Sequence, residues 1–250
     1  INLCKKKSIF YLDTSDMYKN SEKVLANFDL SHFKIITKIN FNIDHSQNIE
    51  EYIIDYVEKR LKLFDVNQIY GLLIHQSKDL QKNKNIIDVI KNLKIKNLIL
   101  KSGVSIYNEN EIDMNLSDFY DIIQLPCNLF DKRFIYSKKI KKLKENGVLI
   151  YARSVFLQGL LLKKNIDQMY FLRWQKEFTN YKKWLAKNKV KPIDACLNFI
   201  SQNKFDGCVI GIENIDQLDK ILNFKINNLT FPNFLEKYDK NLILPYKWQL

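Results

Sequence analysis

Glycine is scarce in this chain: six in 250 residues, none of them in a G-x-G-x-x-G turn. The turn that seats a dinucleotide pyrophosphate on the first helix of an open doubly wound sheet is therefore missing. Cysteine is scarce too. Cys4, Cys127, Cys196 and Cys208 lie far apart and form no C-x-x-C pair, which excludes the familiar zinc and redox spacings. Three of them sit in apolar stretches where free buried thiols are common, and a reducing, cytoplasmic setting is expected. His32 and His45 have no partners at metal-ligand spacing and read as loop residues, so no metal is expected. The longest apolar stretch, residues 148–162, is too short to cross a bilayer and is broken by Arg153 and Gln158. Arginine is rare as well: only Arg60, Arg133, Arg153 and Arg173 occur, so the net charge of +12 is almost all lysine. Those lysines are scattered rather than gathered into a patch, which argues against a nucleic-acid partner.

What the chain does have is alternation. It is 46% hydrophobic, enough for one sizeable core in a single domain over residues 1–250. Short apolar runs at residues 10–14, 34–39, 70–75, 100–105, 121–126, 148–154 and 208–212 read as strands, several continuous enough to be covered on both faces. Between them, amphipathic stretches at 48–64, 86–93, 138–145, 168–187, 193–202 and 215–222 read as helices. In the first, Ile49, Tyr52, Ile53, Tyr56, Val57, Leu61 and Phe64 recur at spacings of three and four. Strand–helix alternation without a glycine-rich turn favours a closed (β/α)8 barrel over an open sheet. Seven strands are countable, so the first strand of the barrel is expected to be missing or degraded at the N-terminus.

Four polar residues stand at or just past the ends of apolar runs: Asp13, Tyr18, Lys38 and His75. In a parallel barrel those ends meet at one face, where catalytic groups collect. A phenol is a poor acid near neutrality unless its anion is stabilised. An adjacent ammonium stabilises the phenolate, and a carboxylate keeps the ammonium charged and oriented. An imidazole can hold a carbonyl oxygen beside the phenol. Such a group protonates a carbonyl oxygen while hydride arrives at carbon, and no side chain donates hydride, so a nicotinamide cofactor is implied.

These residues lie in segments that resemble the aldo-keto reductase family. Leu12-Asp13-Thr14-Ser15-Asp16-Met17-Tyr18-Lys19-Asn20-Ser21-Glu22 is similar to that family's DTAxxYGxSE segment, and Ile36-Thr37-Lys38 to its strand ending in lysine. Arg60-Leu61, Asp65 and Leu72-Leu73-Ile74-His75 resemble its RLxxDxxDxLLIH stretch, and Gly103-Val104-Ser105 its GVSN turn. Ile123-Gln124-Leu125-Pro126-Cys127-Asn128-Leu129-Phe130, then Ser154-Val155-Phe156-Leu157-Gln158-Gly159-Leu160-Leu161, then Gly211-Ile212-Glu213-Asn214-Ile215-Asp216-Gln217-Leu218 resemble its later cofactor segments, in the family's order. The resemblance implies a (β/α)8 barrel that reduces a small-molecule aldehyde or ketone with NADP or NAD. It makes Tyr18 the general acid, Lys38 the ammonium beside it, Asp13 the partner of Lys38, and His75 the group that orients substrate. It also implies nicotinamide contacts from Ser105 and Gln124, and pyrophosphate contacts from Ser154, Phe156, Leu157 and Gln158. Gly211, Asn214 and Gln217 fall near the adenosine end.

Several positions depart from the pattern. Ile106 stands where asparagine follows the serine of GVSN, and Lys19 where glycine follows the tyrosine. Arg153 takes the place of a tyrosine that stacks on nicotinamide, a role open to a planar guanidinium. Glu213 takes the place of an arginine that meets the 2′-phosphate of NADP. A carboxylate there weakens the case for NADP and suits a free ribose hydroxyl. The run from Arg153 to Gly159 is similar to reductases of surface-sugar biosynthesis, which points to a sugar-derived carbonyl. A second reading, a nicotinamide-nucleotide-binding barrel with weak or no catalysis that serves regulation, stays open at this stage. Oligomeric state is not legible.

Overall fold

The computed structural model describes residues 1–41, 48–234 and 238–250; His45 lies outside them. Seven strands follow one another in the sheet in chain order, β1 to β7, and β1–β2, β2–β3, β3–β4 and β6–β7 pair in parallel. This is an α/β fold of the (β/α)8 barrel class, with seven of its strands among the described residues. The contacts gather into two compact units, one formed by residues 1–123 with 146–148, the other by residues 124–145 with 149–250.

The first unit opens on a short helix, α1 (Asn2–Lys6), and no strand precedes β1 among the described residues. Its strands are β1 (Tyr11–Asp13), β2 (Lys34–Ile39), β3 (Ile69–Ile74) and β4 (Ile99–Ser105). β2 is buried at every position after Lys34, because its isoleucines are covered on both faces, as parallel strands require. Helices α2 (Ser21–Leu25), α3 (Ile49–Phe64), α4 (Lys78–Lys82) and α5 (Asn85–Ile95) connect them. In α3 the Asn48 side chain accepts from the backbone N–H of Glu50, Ile53, Tyr56, Val57 and Phe64 are buried, and Asp65 ends the helix in a left-handed conformation. The registers Lys38↔Leu73 and Ile39↔Ile74 bring the C-terminal ends of β2 and β3 level, and Asp13, opposite Ile36, ends β1 three residues short of them. A bond from the backbone N–H of His75 to the carbonyl of Ile39 carries the ladder one residue further.

One glycine of this unit is indispensable. A Cβ on Gly103 would come within 1.8 Å of the backbone oxygen of Ile122 and 3.1 Å of Leu73 Cδ2. Backbone cannot yield as a side chain can, so Gly103→Ala is expected to cost about 3 kcal/mol of folding free energy, the upper end for overpacking. Urea unfolding checks this, and a variant as stable as the parent would contradict it.

In the second unit β6 (Leu149–Arg153) pairs with β7 (Gly207–Cys208) through Tyr151↔Gly207 and Ala152↔Cys208, while β5 (Ile122–Pro126) has its last three residues here. Helices α6 (Lys138–Glu145), α7 (Gln175–Lys187), α8 (Pro192–Gln202), α9 (Ile215–Leu222) and α10 (Lys240–Ile243) accompany them. Two expectations shift. The strand at 208–212 shortens to two residues, since the chain leaves Ala152 after Val209 to enter the cap of α9. The helix at 168–187 divides into a 3₁₀ stretch, Met169–Trp174, and α7. Three of the C-terminal aromatics pack, and Tyr238 is exposed. Phe234 stacks on Phe130 at 5.6 Å, Phe231 lies edge-on to Phe199 at 5.2 Å, and Trp248 lies edge-on to Phe171 at 4.8 Å, whereas Tyr246 is exposed.

Candidate active site

Asp13 ends β1, Lys38 is the penultimate residue of β2, His75 follows β3, and Tyr18 lies in the loop between β1 and α2. All four belong to the first unit. The loop is stitched along its length. Thr14 donates its backbone N–H to the Ile36 carbonyl at 2.8 Å, and its hydroxyl lies 2.9 Å from that of Ser21, closing the neck. The backbone N–H of Tyr18 donates to the Ser15 carbonyl at 3.0 Å, and that of Ser21 to the Tyr18 carbonyl at 3.0 Å. Between them Lys19 adopts φ +49°. Lysine therefore takes up the left-handed backbone that glycine would provide at this turn, at a cost of about 1–2 kcal/mol.

Lys38 is 2% exposed and Asp13 12%. The ammonium donates to both carboxylate oxygens of Asp13 and to the Thr14 carbonyl at 3.0 Å, and it lies 4.9 Å from the centre of the Tyr18 ring. With so little water at the ion pair, attraction between the two charges is strong and neither is well solvated alone. Tyr18 itself is 44% exposed, so its ring rests against the ammonium on one side and stays open to solvent. His75 Nδ1 lies 3.4 Å from the hydroxyl of Ser15, which also donates to the Lys38 carbonyl at 3.5 Å. Ser15 thus ties the imidazole to the Tyr18 loop.

Residues that the sequence reading did not single out complete this centre. Ser15 is one. Tyr56 on α3 is another: its hydroxyl donates to the Lys38 carbonyl at 2.7 Å, and burial pushes its phenol well above the ordinary value, so it stays protonated as a donor. Thr37 donates to Glu22 Oε1 at 2.8 Å. The helical spacing of Tyr56 marks it only as a core residue, and nothing in the pattern marks its hydroxyl.

Of the cofactor-side candidates, Ser105 closes β4 and is buried, with Ile106 fully buried beyond it in the place of the family's asparagine. The others lie in the second unit. Gln124 is fully buried in β5 and Arg153 ends β6. The turn after Arg153 is unusual: Ser154, Leu157, Gln158 and Gly159 all have positive φ, at 58°, 47°, 51° and 79°. The backbone N–H of Leu157 bonds the Ser154 carbonyl at 2.9 Å, the Asn128 amide donates to the same oxygen at 3.1 Å, and Leu157, Leu160 and Leu161 are buried beneath. Left-handed non-glycine residues persist only where surroundings over-determine them, commonly at ligand clamps. The exposed Gly211 has open space where a Cβ would sit. Asn214 and Gln217 are engaged in a helix cap. Asn214 Oδ1 accepts from the backbone N–H of Gln217 at 2.9 Å, and Gln217 Oε1 from that of Glu213 at 2.9 Å, in the manner of a capping box at the start of α9.

Comparison with known proteins identifies the family. A sequence model of the aldo/keto reductase family matches residues 3–232. The aldo-keto reductase AKR11C1 from Bacillus halodurans, in its apo form, superposes with a TM-score of 0.75 at 18% identity, covering 92% of this chain and 80% of that one. The glycerol dehydrogenase AKR11B4 from Gluconobacter oxydans gives 0.66 at 17% identity, covering 92% and 86%. No curated protein matches the sequence. Among the described residues no helix is long and apolar enough to cross a membrane. A match over most of its length, with the barrel topology beneath it, makes this chain a member of the aldo/keto reductase family of NAD(P)H-dependent oxidoreductases.

Proposed function

We propose that this chain reduces an aldehyde or ketone to an alcohol with Tyr18 as general acid. The observation that carries the reading is the buried ammonium of Lys38, fixed by Asp13 and the Thr14 carbonyl and set against the Tyr18 ring. A nicotinamide dinucleotide, when bound, supplies hydride to the carbonyl carbon. The protein's own part is the proton. Tyr18 gives its hydroxyl proton to the carbonyl oxygen, and the fixed positive charge of Lys38 compensates the phenolate left behind. His75, tied to Ser15, orients the same oxygen.

The second unit supports the dinucleotide by its own geometry. What supports a phosphate seat there is the turn after β6, where Ser154, Leu157, Gln158 and Gly159 are left-handed, since backbone that mixes right- and left-handed residues can aim N–H groups at an anion. Ser154, Phe156, Leu157 and Gln158 would follow the pyrophosphate, and Arg153 would stack on the nicotinamide. For its amide the family resemblance offers Gln124 in this unit, and separately Ser105 in the first unit. Asn214 and Gln217, whose amide oxygens accept in the cap of α9 and whose NH2 groups take no part in it, would meet the adenosine end together with Gly211. The single family match across 3–232 supports reading the chain as one catalytic domain. All four cysteines are free, in keeping with a cytoplasmic protein. A sugar-derived carbonyl is the preferred substrate class.

Titration of the purified protein with NADPH and NADH, followed by a screen of aldehydes and sugar carbonyls, tests the reading. Because Glu213 is acidic and exposed, NADH is expected to serve with kcat/KM within about tenfold of NADPH, since a carboxylate repels a 2′-phosphate and accepts from a ribose hydroxyl. NADPH better by more than that refutes the Glu213 argument. Binding of both dinucleotides with no turnover of any carbonyl refutes the reductase and favours a regulatory barrel.

A further inference from the structure

From the packing around Arg60 we infer that this arginine, with Tyr56, is a positioning residue that fixes Tyr18 and Lys38 relative to each other, an assignment that rests on the reductase reading above. Arg60 lies on α3 and touches no part of the proposed proton path. Its guanidinium instead spans the base of the Tyr18 loop. One terminal nitrogen lies 3.2 Å from Glu22 Oε2 and 3.6 Å from Asp16 Oδ2. Asp16 precedes Tyr18 in the loop and Glu22 follows it in α2, so a single rigid cation grips the loop on both sides of the phenol.

The other half of the bracket runs to Lys38. The guanidinium lies flat over the Tyr56 ring, 3.4 Å from its centre, and its other terminal nitrogen donates to the Tyr56 carbonyl at 3.3 Å. The Tyr56 hydroxyl donates to the Lys38 carbonyl at 2.7 Å. Thr37, the neighbour of Lys38, donates to the second Glu22 oxygen at 2.8 Å and sits 3.4 Å from the Tyr56 hydroxyl. Phenol loop and ammonium strand are thus fastened to the same two side chains of one helix.

Charge explains why arginine is required. Two carboxylates face one cation, and Glu22 is buried, so loss of the cation leaves a carboxylate with neither water nor counter-ion. Lysine keeps the charge but has no fork to reach two carboxylates and no plane to stack on a ring. The loop would then relax away from Lys38, and general-acid catalysis is sensitive to displacements of about 1 Å.

The test compares the parent with Arg60→Met, Arg60→Lys and Glu22→Gln, using Lys59→Met on the exposed face of the same helix as a control. Two readouts are taken, steady-state kinetics and amide hydrogen exchange over residues 14–22. Arg60→Met and Glu22→Gln are expected to lower kcat by about tenfold or more. KM and dinucleotide affinity should stay within about twofold, with exchange accelerated in 14–22 and little elsewhere. Arg60→Lys should fall between, and Lys59→Met should match the parent. If Arg60→Met does not fold, Glu22→Gln and Arg60→Lys decide the matter. Parent-like exchange in 14–22, or accelerated exchange with parent-like kcat, overturns the inference. A parent protein that turns over no carbonyl removes the reductase reading instead, and exchange then decides alone whether Arg60 holds the loop.

Discussion

Tyr18→Phe is expected to lower kcat/KM for carbonyl reduction by about two to four orders of magnitude, the usual contribution of a placed general acid. The half-exposed ring makes this a clean experiment, because removing one oxygen opens no buried cavity. The loop is held through backbone bonds at Tyr18 and side chains of its neighbours, and phenylalanine preserves all of these. Phenylalanine also keeps a face for the Lys38 ammonium, so the ion pair should not rearrange. Thermal stability and dinucleotide affinity are therefore expected to remain at parental values while turnover collapses. Turnover near that of the parent would remove Tyr18 from its role, and a parallel fall in stability would show that the hydroxyl is structural.

Lys38→Met combines a large catalytic effect with a large structural one. Loss of the fixed positive charge beside the phenol is expected to reduce kcat by about 10²-fold or more, as when an electrostatic donor is removed from a pre-organised site. Removing one member of a poorly hydrated ion pair also leaves the Asp13 carboxylate without its counter-ion. The expected cost is about 3 kcal/mol, the low end for such deletions, because Asp13 retains some contact with water. The double variant Lys38→Met/Asp13→Asn separates the two effects. It should recover much of the stability, since no unpaired charge remains, and none of the turnover. Urea unfolding and steady-state rates measured on the same preparations decide this, and recovered turnover in the double variant would contradict the role assigned to Lys38.

Long periodic segments were legible and short ones were not. The run from Lys34 to Ile39 and the helix from Lys138 to Glu145 coincide with their expected limits, the first because it is nearly all apolar, the second because Ile140 and Leu143 stand three apart among charged residues. Helices α1, α2 and α4 have five residues each, too few for a repeat to declare itself, and their ends are set by tertiary contacts. Asp13, Lys38, Tyr18 and His75 could be marked in advance because polar side chains at strand ends carry their chemistry in residue type. Ser15, Thr37 and Tyr56 could not, since each matters through where its hydroxyl points, and that depends on neighbours distant in the chain. Asn214 and Gln217 teach the reverse lesson. Residue type offered them to a ligand, and their amide oxygens also start a helix, a second role that the sequence did not display.

The turn at residues 154–159 holds three non-glycine residues, Ser154, Leu157 and Gln158, in torsions each unfavourable by about 1–2 kcal/mol. That energy is charged to the folded chain permanently, against the stability a glycine-rich version would enjoy. A molecule that accepts this contour finds the ordering already done and surrenders less entropy on arrival. The buried Leu157, Leu160 and Leu161 are therefore the mould in which the shape is cast, so a change in the grease below would alter the contour as surely as a change in the polar groups above.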